Sequence, residues 1–129
     1  MIGDREQTWD IPYRVEAVSA ARRAVRKALA DWGCDHASDD VTLVVSELIT
    51  NSIIHGAPAV RLTLYVRGDM LFGEVIDHGA EFPHLVDADD VAEHGRGLSM
   101  VRKTTQCLGW TRTQDGAKSV WFSYRLCQE

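Results

Sequence analysis

Glu47-Leu48-Ile49-Thr50-Asn51-Ser52-Ile53-Ile54-His55-Gly56 places an acid, an amide and an imidazole four residues apart. Helical residues at that spacing stand roughly one above the next. Glu47, Asn51 and His55 therefore form a polar ridge along a helix. Val41, Val44, Val45, Leu48 and Ser52 make its buried face. Ser38-Asp39-Asp40 offers N-cap oxygens at the start, and Gly56-Ala57-Pro58 ends the helix. Such a ridge by itself is the ordinary solvated side of an amphipathic helix. Its meaning depends on what the rest of the chain brings to it.

Upstream, residues 7–13 alternate weakly and contain Pro12, which suits an edge strand or an extended lead-in. From Arg14 to Trp32 the period becomes helical, with Val15, Val18, Ala21, Val25, Ala28, Leu29 and Trp32 at spacings of three and four. Gly33 stops that helix as a C′ glycine. His36 reads as an exposed loop residue. Arg22, Arg23, Arg26 and Lys27 form the one compact basic cluster, which reads as a solvated helix face.

Downstream, Val60–Arg67 alternates apolar Val60, Leu62, Leu64 and Val66 with polar or aromatic residues, and Gly68-Asp69 marks a turn. Leu71–Asp77 follows with Leu71, Gly73, Val75 and Asp77 on one face. Asp77 thus ends a strand on the apolar side, where an unpaired carboxylate is costly. Residues 78–94 form a long connection without a period and carry His78, His84 and His94 among several acids. Connections of that length usually serve a function. Gly95-Arg96-Gly97-Leu98 then opens a third helix, with Leu98, Val101 and Thr105 on one side. Residues 106–113 and 118–126 read as a hairpin across Gln114-Asp115-Gly116-Ala117. The segregated hairpins and helices argue an α+β fold: a two-layer α/β sandwich, with a mixed, mostly antiparallel sheet and helices on one face.

The chain has 129 residues, the size of one domain. A net charge of −5 and the absence of a large basic surface argue against a nucleic-acid binder. No apolar run approaches the roughly 18–20 residues of a membrane span, and residues 1–6 lack a signal peptide's apolar core. A cytoplasmic protein is the expectation. Cys34, Cys107 and Cys127 form no CxxC and are odd in number, so they read as reduced thiols.

Three pieces in order carry chemistry. A glycine-bearing helix start exposes backbone N–H groups suited to phosphate. Asn51 can offer an oxygen to Mg²⁺, and Glu47, one turn earlier, can accept a proton. Ionised Asp77 accepts hydrogen bonds only, which suits an exocyclic amino group. A metal-dependent hydrolase built on His78, His84, Asp87, Asp89, Asp90 and His94 is a weaker reading, because no HxH or HxxxH spacing appears.

Taken together, these residues resemble the ATP-binding domain shared by histidine kinases, gyrase-type topoisomerases, Hsp90 and MutL, the GHKL or Bergerat fold. Glu47-Leu48-x-x-Asn51-x-x-x-His55-Gly56 resembles its N box. Asp77-His78-Gly79 resembles its G1 box, and Gly95-Arg96-Gly97-Leu98 its G2 box. The likeness spans about residues 8–126 of a single domain, 1–129. The short lid and the lack of dimerisation helices resemble the anti-sigma factors that are serine-protein kinases.

That resemblance implies ATP and Mg²⁺ as cofactors, a sigma factor as one partner, and a sulfate-transporter-like anti-anti-sigma protein phosphorylated on serine as another. It implies Glu47 as general base, Asn51 as Mg²⁺ ligand and Asp77 as the adenine contact. His55, Gly79, Gly95, Arg96, Gly97 and Leu98 would hold base and phosphates. Ser119 stands where the family often has a threonine near the adenine. His55 also suits the helix C-terminus electrostatically. The G1 box departs from Asp-x-Gly-x-Gly, because Glu81 replaces its second glycine. That departure keeps a second reading open: a binding module of the same fold, with weak or no catalysis, that sequesters a sigma factor or other regulator. No histidine resembles a phosphoacceptor region, which argues against an intact sensor kinase. The resemblance also allows a homodimer through an edge strand or the sheet's open face.

Overall fold

A computed structural model describes residues 5–80 and 100–126. Its sheet has five strands in the order β1-β2-β3-β5-β4. These are β1 (Glu6–Ile11), β2 (Val60–Arg67), β3 (Met70–Asp77), β4 (Cys107–Arg112) and β5 (Lys118–Arg125). Every pairing among the described residues is antiparallel, where the sequence allowed a mixed sheet. Helices α1 (Ala17–Asp31) and α2 (Ser38–His55) pack together on one face, α1 against β1 and α2 against β2 and β3.

The strand alternation sets which residues meet the helices. Leu62, Leu64, Leu71, Val75, Val120 and Phe122 point to them and are buried. Burying each large apolar side chain of this set contributes roughly 1.5–3 kcal/mol. The other face carries a stacked Tyr65–Phe72 pair with ring centroids 5.0 Å apart, and an exposed Trp121. No helix among the described residues is long and apolar enough to cross a membrane.

Helix α1 begins three residues later than its apolar period suggests. Arg14–Glu16 form turns instead, with the Ala17 amide donating to the Arg14 carbonyl over 3.0 Å. Its end is a complete Schellman motif: the Gly33 amide donates to the Ala30 carbonyl and the Cys34 amide to the Leu29 carbonyl. Gly33 has φ +75°, a value glycine adopts without the penalty other residues incur. Cys34 is thereby buried, and burial pushes its thiol pKa up.

A 3₁₀ turn, Asp35–Ala37, then leads into α2. Ala37 holds the N-cap position, and no side chain caps the helix. Ser38 is already helical and accepts a hydrogen bond from Arg26 instead, so the expected Ser/Asp cap is absent. His36 is exposed, yet its ring is hydrogen-bonded to the Leu126 carbonyl at 2.8 Å. The basic side of α1 is partly neutralised, with Arg26 paired to Asp39 and Lys27 to Asp31.

Residues 100–104 are helical, and Val101 is fully buried, as the third-helix period implies. The start of that helix at Gly95–Leu98 lies outside the described residues.

Candidate functional site

The C-terminal end of α2 meets the end of β3, and the site grows from that junction. Asp77 is the last residue of β3 and has no solvent exposure. Its Oδ2 accepts the Ser52 hydroxyl over 2.7 Å, and its Oδ1 accepts the Gly79 amide over 2.7 Å. The Lys118 ammonium lies 3.4 Å from Oδ2 and is itself buried. The burial cost of the carboxylate is thus offset by two hydrogen bonds and an ion pair.

This arrangement follows from two registers. Leu48 and Ser52 are one turn apart on the buried stripe of α2, so the hydroxyl replaces an apolar contact where β3 ends. The β3–β5 pairing sets Lys118 directly opposite Asp77, on the same sheet face.

Two glycines let the parts close. A Cβ on Gly56 would come within 2.5 Å of both Asp77 Cγ and the Ser52 carbonyl oxygen. One on Gly79 would come within 2.6 Å of the Gly56 Cα. Gly56 and the Asp77-x-Gly79 turn are therefore in backbone contact. The His78 amide donates to the Ala57 carbonyl, and the Tyr13 hydroxyl to the Gly56 carbonyl, across the same junction. Arg112 secures the exit from β3 by donating to the carbonyls of Gly79 and Ala80, at 3.1 and 2.8 Å. In the adjoining hairpin turn, the Thr113 hydroxyl donates to Asp115 and holds its carboxyl below the usual range.

Glu47 and Asn51 are half-buried on the neighbouring stripe of α2, and His55 is exposed at its last turn. Helical geometry sets Asn51 about 100° round from Ser52. One rigid helix thus carries both the ridge and the partner of Asp77.

Ser119 is not brought to this junction. It pairs with Ile76, and strand alternation turns it to the face away from Asp77. There its hydroxyl donates to Glu74 Oε2 over 2.5 Å. Lys118, not Ser119, holds the strand position beside Asp77. Gly95, Arg96, Gly97 and Leu98 lie outside the described residues, as do His84, Asp87, Asp89, Asp90 and His94. Among the described residues no cluster of His, Cys, Asp and Glu could hold a metal by itself.

The helical period places Ser52 on the apolar face of α2, and the alternation of residues 118–126 opens a strand at Lys118. Each carried a signal. Ser52 is a hydroxyl within an apolar stripe, and Lys118 is a cation in phase with Val120 and Phe122. Arg112 carried none, because its partners are backbone carbonyls far along the chain.

The family model described as "Histidine kinase-like ATPase domain" matches residues 11–124. Among solved structures, the chain is similar to the histidine kinase domain of the blue-light activated histidine kinase of Erythrobacter litoralis EL346. That match has 19% identity and a TM-score of 0.57, covering 87% of this chain and 60% of that one. It is also similar to the histidine kinase AdeS of Acinetobacter baumannii, with 17% identity and a TM-score of 0.53, covering 95% of this chain and 68% of that one. At these identities the likeness is one of fold. No match was found among curated proteins.

Proposed function

The chain belongs to the histidine kinase-like ATPase domain family, and on that premise we propose that it binds ATP with Mg²⁺ and acts as an anti-sigma regulator. In this reading it binds a sigma factor and phosphorylates a serine on a sulfate-transporter-like anti-anti-sigma partner. The observation that carries the reading is the junction of Asp77 and Gly79 with Ser52 and Gly56. It ties the acceptor for a base's amino group to the helix that carries Glu47 and Asn51.

The residues present fit the cofactors. Asp77 is held in one orientation by Lys118, Ser52 and the Gly79 amide. Asn51 is half-buried and offers a neutral amide oxygen, a ligand type that suits Mg²⁺. Mg²⁺, when bound, would neutralise charge on the phosphates. Glu47, one turn before Asn51, takes the proton of the attacking seryl hydroxyl onto its carboxylate. A positioned base of this kind contributes roughly 10²–10⁴-fold.

Phosphate transfer from ATP to such a partner, together with a pull-down from the native cytoplasm with and without ATP-Mg²⁺, tests the reading. Labelled partner serine and a co-purified sigma factor are the expected results. Absence of both would reject it.

One observation favours a second reading, a binding module with weak or absent catalysis. Asp77 is fully buried and already paired with a lysine. Calorimetry with an ATP analogue separates the two: partner binding retained without detectable nucleotide binding supports the module.

A further inference from the structure

Asp77 is sealed within the described residues. Its side chain has 0% exposure and that of Lys118 has 4%. A carboxylate offers about four lone-pair sites. The Gly79 amide and the Ser52 hydroxyl take two of them, and the Lys118 ammonium stands against Oδ2 in an ion pair at 3.4 Å. Gly56 closes over the carboxyl carbon so tightly that a methyl group there would clash. A ligand reaches Asp77 only if one of these groups moves.

They differ in freedom to do so. Ser52 is fixed on the buried stripe of α2. The Gly79 amide belongs to a backbone turn held by Arg112 and by the His78–Ala57 hydrogen bond. Lys118 reaches the carboxylate through a flexible four-carbon stem from the first residue of β5.

The geometry points to Lys118 as an internal competitor for the nucleobase: its ammonium holds the position on Asp77 that the amino group of adenine would take, and nucleotide gains Asp77 as Lys118 withdraws. This inference rests on the nucleotide-binding reading above. An ammonium and an exocyclic amino group are both N–H donors to the same acceptor. The charged donor makes the stronger hydrogen bond. The base therefore does not displace it unaided, and contacts elsewhere on the nucleotide supply the difference. Apparent affinity is lowered by the fraction of molecules in which Lys118 has withdrawn.

The wild-type chain carries its own reporters. Its lysines are Lys27, Lys103 and Lys118, and the first two are exposed. A short pulse of an amine-acylating reagent, read by mass spectrometry, gives slow labelling of Lys118 relative to the other two. Saturating ATP-Mg²⁺ raises Lys118 labelling severalfold and leaves Lys27 and Lys103 unchanged. In parallel, Lys118→Ala binds a fluorescent ATP analogue about tenfold more tightly than wild type, as removal of an occluding state requires.

ATP binding with Lys118 equally or better protected overturns the competitor and leaves the nucleotide reading intact. So does a folded Lys118→Ala that binds no more tightly. Failure of both wild type and Lys118→Ala to bind at millimolar nucleotide overturns the two together. If Lys118→Ala does not fold, the labelling of the wild-type chain decides.

Discussion

The Ser52 hydroxyl donates to Asp77 Oδ2 over 2.7 Å, joining the core side of α2 to the end of β3 inside the protein. Ser52→Ala removes one of the three groups that stabilise a fully buried carboxylate. The loss of a partner to such a group costs about 1–3 kcal/mol. Denaturant unfolding should show the midpoint falling without a change in slope. ATP binding should weaken in the same variant, because Asp77 is no longer held in one orientation. Unchanged stability would mean that another group replaces the hydroxyl.

Gly56→Ala tests the close approach of the two motifs. The added methyl meets Asp77 Cγ and the Ser52 carbonyl at 2.5 Å, and neither is the free end of a flexible chain. Overpacking of this kind costs about 1–3 kcal/mol. Gly33→Ala is the matched control: it has open space but φ +75°. It should cost about 1–2 kcal/mol through left-handed strain. It should leave nucleotide binding unchanged, whereas Gly56→Ala should impair it. Paired melting and binding measurements separate the two mechanisms.

The parts legible in the sequence are those with a local period. Val60–Arg67 is a strand over the residues that its alternation marks, and Val41, Val44, Val45, Leu48 and Ser52 are buried as their helical spacing implies. Asp77 stands out because an acid in phase with Leu71 and Val75 needs a partner. The identity of that partner is a non-local fact. It depends on the β3–β5 register, which pairs Asp77 with Lys118 and turns Ser119 to the opposite face. A shift of one residue exchanges the two faces, and nothing within the hairpin sequence specifies its register against β3. Short, uncapped features are similarly hidden. The 3₁₀ turn at Asp35–Ala37 is too brief for a period, and the α2 start is stabilised by Arg26 reaching from another helix rather than by its own cap.

Glu47 and Asn51 separate chemistry from binding. Glu47→Gln preserves shape and hydrogen-bonding capacity but removes the proton acceptor. ATP affinity should stay within a factor of about two, while phosphotransfer falls roughly 10²–10⁴-fold. Asn51→Ala should instead abolish the Mg²⁺ dependence of nucleotide binding. Both residues are half-buried and off the core stripe, so both variants should fold. Titration calorimetry with and without Mg²⁺ and a phosphotransfer assay read the two effects independently.

Tyr124 gives the fold a defined alkaline limit. Its hydroxyl donates to Asp40 Oδ2 over 2.7 Å, linking β5 to the first turn of α2. Burial, followed by the hydrogen bond and negative charge of Asp40, pushes its pKa from 10.0 up to about 12. Because the folded value is the higher one, the contribution of this group is fully present below pH 10. As pH rises the unfolded chain ionises first, and that contribution is lost on approach to about pH 12. Tyr124→Phe should remove the late phenolate step from an ultraviolet absorbance titration. It should also flatten stability between those two pH values, while costing about 1 kcal/mol near neutrality for the lost hydrogen bond. Asp40 is exposed, so the variant strands no buried charge. An unaltered absorbance titration would assign the late step to another of the three tyrosines.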